Sequence, residues 1–118
     1  MEWEVVGSDV FRAWFANLTE PEKKSVIRNV ELLRQFGPQL PDRYSRPITT
    51  SRHSHMRELR IQHAGRPYRA LYAFDPRRTA VLLVGGDKTG NDRWYEQNVP
   101  LADRLYDEWL ENLRKESD

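Results

Sequence analysis

Residues 56–86 read MRELRIQHAGRPYRALYAFDPRRTAVLLVGG, and the alternation within this stretch decides the fold. In MRELRIQ (56–62), Leu59 and Ile61 fall to one side and Glu58 and Arg60 to the other, the period of two that marks a strand. HAGRP then makes a turn, and YRALYAFD (68–75) is an aromatic-rich second strand. PRRT is another turn. AVLLVGG (80–86) is apolar without alternation, which predicts a central strand covered on both faces.

Outward from this core, EWEVV (2–6) predicts a short strand with Trp3 and Val5 as its apolar positions. Gly7 breaks it. Ser8 or Asp9 caps a helix to Leu18, whose Val10, Trp14 and Leu18 recur every four residues on one face. Thr19, Pro21 and Glu22 then form a capping box that opens a helix to about Phe36. Val26, Val30 and Leu33 make its apolar stripe, flanked by Ile27 and Phe36, and Gly37-Pro38 ends it. The two helices make an αα-hairpin. From Pro38 to His55 three prolines and little periodicity predict a loop, and a loop this long in a small domain is more often functional than idle. After a polar loop (87–97), Asn98 and Pro100 open a last helix with Leu101, Ala102, Leu105, Trp109 and Leu113 on its apolar face.

The predicted order is β-α-α-β-β-β-α. It describes an α+β domain over residues 1–118, with a small twisted, mainly antiparallel sheet of about four strands. An N-terminal αα-hairpin and a C-terminal helix are expected on one face, leaving the other face for a ligand.

Composition bounds the chemistry. With 118 residues, 38% hydrophobic and 31% charged, the chain can bury one core under a polar surface. It has no cysteine, which rules out disulfides, thiolate metal sites and thiol nucleophiles. No apolar run approaches the roughly 20 residues of a membrane span, and MEWEVVGSD does not read as a signal peptide, so a cytoplasmic location is expected. The net charge of +1 hides an asymmetry: residues 43–78 carry nine arginines, no lysine and two acids, a charge of +7 against −6 elsewhere. Arginine is the residue of choice where a planar fork must grip phosphate. Tyr44, Tyr68 and Tyr72 interleave with these arginines, as suits single-stranded RNA. The plainer alternative is that the arginines pair with the chain's own acidic helices.

Three stretches now carry a pattern: RELRI (57–61), GRPYRALYAF (65–74) and VLLVGGDKTGNDRWYEQNVPLADRLYDEW (81–109). In element order and spacing the chain resembles the RelE superfamily of toxin–antitoxin toxins, specifically the HigB-like (phage Gp49-like) branch. There an ELR strand precedes a YR strand, an apolar strand ending near a lysine, and a long helix. Where the branch commonly carries paired lysines, this chain reads Asp87-Lys88-Thr89-Gly90. The resemblance implies a RelE-like fold and cofactor-free cleavage of mRNA, usually on the ribosome. It also implies a helix-turn-helix antitoxin as partner. Two other readings stay open: a toxin acting on DNA gyrase by protein contact, as in the ParE branch, and a non-catalytic RNA-binding or phage accessory protein.

A metal-free ribonuclease uses the substrate's own 2′-hydroxyl as nucleophile. It needs a base for that hydroxyl, an acid for the leaving 5′-oxygen, and cations for the phosphorane. Arg60 and Arg69 are expected on neighbouring strands, the resemblance places them in the groove, and as permanent cations they suit phosphate clamping. Arg60 has an alternative, an ion pair with Glu58 on the same strand face. Lys88 matches the basic residue that the family carries after the strand; otherwise it is a turn lysine beside Asp87 and Asp92. Tyr95 corresponds to a tyrosine that related toxins carry for proton transfer, although an ordinary phenol near pKa 10 is a poor base unless cations lower it. Its alternative is packing with Trp94 at the sheet edge. Arg52, Arg57, Arg66 and Tyr72 are further RNA-binding candidates, and His55 is an alternative acid or base. His53-Ser54-His55 has metal-ligand spacing but no third ligand nearby, so no metal is expected. Contacts from Arg52, Arg57, Arg60, Arg66 and Arg69 would give a slope of log K against log salt near −3.5. As exposed cations, Arg69 and Lys88 should each contribute only about 0–1 kcal/mol to stability.

Overall fold

The computed structural model describes residues 2–117. In chain order these form β1 (Glu4–Gly7), α1 (Asp9–Ala16), α2 (Glu20–Phe36), β2 (Ser45–Pro47), β3 (Arg57–His63), β4 (Arg66–Phe74), β5 (Thr79–Asp87) and α3 (Trp94–Glu116). The sheet order is β1-β5-β4-β3-β2; β1 runs parallel to β5 and every other pair is antiparallel. The predicted α+β order holds with one strand added. Ser45–Pro47, read from sequence as loop, pairs with β3 and sets Arg46 opposite Glu58. Three residues ending in proline are too short to show a period.

Local signals act as their chemistry dictates. The Ser8 side chain accepts from the Phe11 amide at the start of α1, and Thr19 and Glu22 bond reciprocally at the start of α2. Ala64 and Gly65, between β3 and β4, both have positive φ (50° and 77°), the backbone of a two-residue hairpin turn whose twist suits its strands.

The helices are not all on one face. Leu59, Ile61, Tyr68, Ala70 and Tyr72 pack towards α1 and α2, whereas Leu71, Ala73, Val81 and Leu83 pack towards Val99, Ala102 and Tyr106 of α3. β4 and β5 are apolar on both sides, so a single helical layer would leave one side of each in water. Gly85 and Gly86 let tryptophans close in from opposite sides: an added Cβ would stand 2.2 Å from the Trp14 ring and 2.5 Å from the Trp94 ring, respectively.

Seating Trp94 also moves the start of α3. The helix begins at Trp94 rather than at Asn98 or Pro100, so Pro100 lies inside it. An internal proline normally costs about 3 kcal/mol; here Trp94 and Val99 are buried in return, and Asn98 donates its side-chain amide to the Trp94 carbonyl at 2.8 Å. The long loop is strapped to the same helix. Ser51 and the Arg52 amide bond the buried Asp103 at 2.5 and 3.2 Å, while His53 Nε2 meets Asp107 at 2.7 Å.

Glu22 joins α2 to the sheet. It receives the Thr19 amide at 2.7 Å, the Tyr68 hydroxyl, and Arg66 Nη2 at 3.4 Å. These contacts, the Tyr68 hydrogen bond foremost, lower its pKa from 4.5 to about 2. A carboxylate depressed in the folded state contributes stability that is complete above its unfolded pKa and is lost as pH falls through the folded one. Stability is therefore expected to decline between about pH 4.5 and 2, and Glu22→Gln should flatten that part of the urea-midpoint profile.

Candidate active site

β3 presents Glu58 and Arg60 on the α3 side of the sheet, and Arg69 of β4 stands opposite Arg60. The Arg69 side chain reaches towards Glu58, bringing its Nε to 3.0 Å from Oε1, while Arg60 Nη1 lies 3.7 Å from Oε2. From the first turn of α3, the Tyr95 hydroxyl donates to Glu58 Oε1 at 2.5 Å. Lys88, just past β5, holds its Nζ 5.7 Å from the centre of the Tyr95 ring. One carboxylate thus gathers two guanidiniums and a phenol, with an ammonium beside the phenol.

The cluster has an inside and an outside. Glu58 is 7% exposed and Arg69 3%, whereas Arg60, Lys88 and Tyr95 are half-buried and open to solvent. Arg69 is therefore no exposed groove cation: it is the buried counter-charge of Glu58. Its Nε also lacks an aligned hydrogen-bond partner, an unusual state for a buried donor. The alternative for Arg60, an ion pair with Glu58, is present and leaves Arg60 partly open. Burial first, then the Glu58 hydrogen bond and charge, push the Tyr95 phenol up from its ordinary value and outweigh the opposing pull of Arg69, so Tyr95 is neutral at physiological pH.

Asp87 does not crowd Lys88. Its carboxylate turns to Arg66, 3.2 Å away, and to Thr89. Exposed Arg46, opposite Glu58 across the ladder, adds a further cation to the β2–β3 end of this face.

The other candidates lie elsewhere. Tyr72 is 1% exposed among the residues packed against α1 and α2, with its hydroxyl 2.5 Å from Ser45 Oγ, so it cannot stack on RNA. Arg57 points to the same side and donates to Ser45 Oγ at 2.9 Å. Arg66 is engaged by Glu22 and Asp87, and Arg52 by Asp107. His55 lines a separate cleft with Trp3, Arg57, Phe74 and Arg78. Alternation separates these side chains by face, which arginine content alone cannot reveal. Glu58, which the sequence offers only as an ion-pair partner for Arg60, and Arg46, one of the nine arginines of 43–78, join the site in the structure. Alternation had already set Glu58 beside Arg60, but the unseen β2 hid Arg46.

The mainly antiparallel sheet, flanked by a helical hairpin and a long terminal helix, shares its fold with two solved RelE structures. The toxin–antitoxin complex RelBE2 of Mycobacterium tuberculosis matches 74% of this chain and 99% of the matched chain, with a TM-score of 0.57 at 19% identity. The RelE–RelB complex of Pyrococcus horikoshii matches 77% and 99%, with a TM-score of 0.56 at 12% identity. The sequence model described as phage-derived protein Gp49-like spans residues 13–107, and the chain belongs to that family. Two relatives from Mycobacterium tuberculosis carry toxin names. HigB3 is 43% identical over 82% of this chain and 84% of its own length. HigB2 is 36% identical over 83% of this chain and 50% of its own length.

Proposed function

We propose that this chain is the toxin of a toxin–antitoxin pair and cuts mRNA without a metal, through attack by the substrate's 2′-hydroxyl. The observation that carries this reading is the convergence of Arg60, Lys88 and Tyr95 at the surface above the buried Glu58–Arg69 pair. Arg60 and Lys88 bind the scissile phosphate and offset the charge that grows on its oxygens. Tyr95 handles the proton of the attacking hydroxyl. Arg69 works from beneath, keeping the carboxylate fixed. The toxin names of its relatives and the toxin–antitoxin complexes among its structural neighbours support an antitoxin partner, for which a helix-turn-helix protein is the expectation. No helix among the described residues is long and apolar enough to cross a membrane; we take the cytoplasm, where mRNA is translated, as the place of action.

Expression in a bacterial host should arrest growth and leave 2′,3′-cyclic phosphate ends on translated mRNA. Arrest without RNA ends but with lost gyrase supercoiling would favour the protein-contact alternative, and unimpaired growth at confirmed expression would leave the non-catalytic one. Binding supplies a separate number. Arg52, Arg57 and Arg66 are held by partners away from this cluster and Arg69 is buried beneath it, so phosphate contacts are assigned to three partly or fully exposed cations, Arg46, Arg60 and Lys88. The slope of log K against log salt for single-stranded RNA should then be near −2 rather than −3.5.

A further inference from the structure

We propose that Glu58 is the final proton acceptor of the cleavage, reached through Tyr95: the 2′-hydroxyl passes its proton to the phenolic oxygen of Tyr95 while Tyr95 passes its own to Glu58 Oε1. The inference rests on the ribonuclease reading above and adds to it the route of the proton.

Three observations lead there. Glu58 is too deeply buried to meet an RNA hydroxyl itself, whereas Tyr95 bridges the solvent side and the carboxylate through a 2.5 Å hydrogen bond. Burial and the neighbouring carboxylate keep the phenol protonated, so Tyr95 can take a second proton only by releasing its first in the same step. That first proton already points at Glu58.

The step balances. The O2′–H bond breaks and a new O–H bond forms on Tyr95, whose original proton moves to Glu58. The freed O2′ pair bonds to phosphorus, the P–O5′ bond breaks, and O5′ leaves with its electron pair and takes a proton from solvent. The products are a 2′,3′-cyclic phosphate and a 5′-hydroxyl, and Glu58 later returns its proton by the same path.

The charges around Glu58 favour this timing. Arg60 faces it from its own strand, Arg69 from β4 and Tyr95 from α3, with Lys88 beyond the phenol and Arg46 opposite it in the β2 register, its Nε bonded to the Asp42 carbonyl. At rest the carboxylate neutralises part of that positive charge. Protonating it releases Arg60 and Arg69 from compensation at the moment the phosphorane becomes more negative. The poorly aligned Arg69 Nε fits a pair not optimised as a permanent ion pair.

The test measures cleavage of an RNA substrate against pH for wild type, Glu58→Gln, Glu58→Asp, Tyr95→Phe and the Glu58→Gln/Tyr95→Phe double variant. Glu58→Gln can still accept the Tyr95 hydrogen bond but not its proton, so kcat should fall by about 10²-fold or more, with KM no higher than wild type and the acid limb of the profile lost. Tyr95→Phe should fall equally, and the double variant no further, because both remove one relay. If Glu58→Gln does not fold, Glu58→Asp carries the test. It keeps a charge beside Arg69 yet falls short of the phenol, and should match Tyr95→Phe. Wild-type rates and pH profiles in either Glu58 variant, or additive losses in the double variant, would overturn the relay. A wild-type chain that cuts neither free nor ribosome-bound RNA would instead overturn the ribonuclease reading and the relay with it.

Discussion

Arg69→Ala should lower the stability of the fold by about 3–5 kcal/mol, the range seen when one partner of a buried ion pair is removed. The cause is the group left behind. Glu58, 7% exposed, would keep a negative charge with its 3.0 Å partner gone and only Arg60, at 3.7 Å and partly in water, to compensate. This reverses the small effect expected of an exposed groove cation. A Glu58→Leu/Arg69→Met variant should recover most of the loss, because two apolar side chains of similar volume need no counter-charge. Urea denaturation of the single and double variants measures both effects. Equal stability of Arg69→Ala and wild type would mean that water reaches the pair.

Arg60→Ala and Lys88→Ala should each slow RNA cleavage by about 10²–10³-fold, the loss typical of removing one preorganised group that stabilises transition-state charge. Neither should change the melting temperature much, since both side chains are partly solvated. The contrast lies in the arginines engaged elsewhere. Arg52→Ala and Arg66→Ala should cleave at near wild-type rates, because their carboxylate partners lie on α3, on α2 and at the end of β5. Single-turnover cleavage of one substrate by all four variants separates the groups, and a similar loss in all four would show that RNA follows overall positive charge rather than this cluster.

Much of the fold was legible because its signals are local. Thr19 and Glu22 lie three residues apart, and the Ala64-Gly65 turn joins two strands whose alternation is plain. What escaped depended on distant contacts. Nothing near Trp94 says that Gly86 offers it a flat seat, so the sequence alone starts the helix four residues late, at Asn98, and shows one helical layer where there are two. The site divides in the same way. Arg60, Arg69, Lys88 and Tyr95 could be singled out by residue type and resemblance, and they do come together. Their centre could not be foreseen: two positions on β3 share a face by rule, but only the register of β3 with β4 and the place where α3 begins make Glu58 the common partner.

The pairing of β1 with β5 has a kinetic side. Glu4 lies beside Thr79, and the Ser8 side chain reaches Leu83 across 75 residues of chain, so this edge closes the longest loop in the sheet. The β3–β4 hairpin closes over two residues and can form early. Loop-closure entropy that grows as (3/2)RT ln n puts the β1 docking about 4 kcal/mol above a contact between immediate neighbours before any burial offsets it. β1 is therefore expected to join after the hairpin, and its amides should exchange with solvent through openings smaller than global unfolding. The ion pairs of Glu58 with Arg60 and Arg69 lie within the hairpin, so this charged core of the site does not depend on the N-terminal edge being docked.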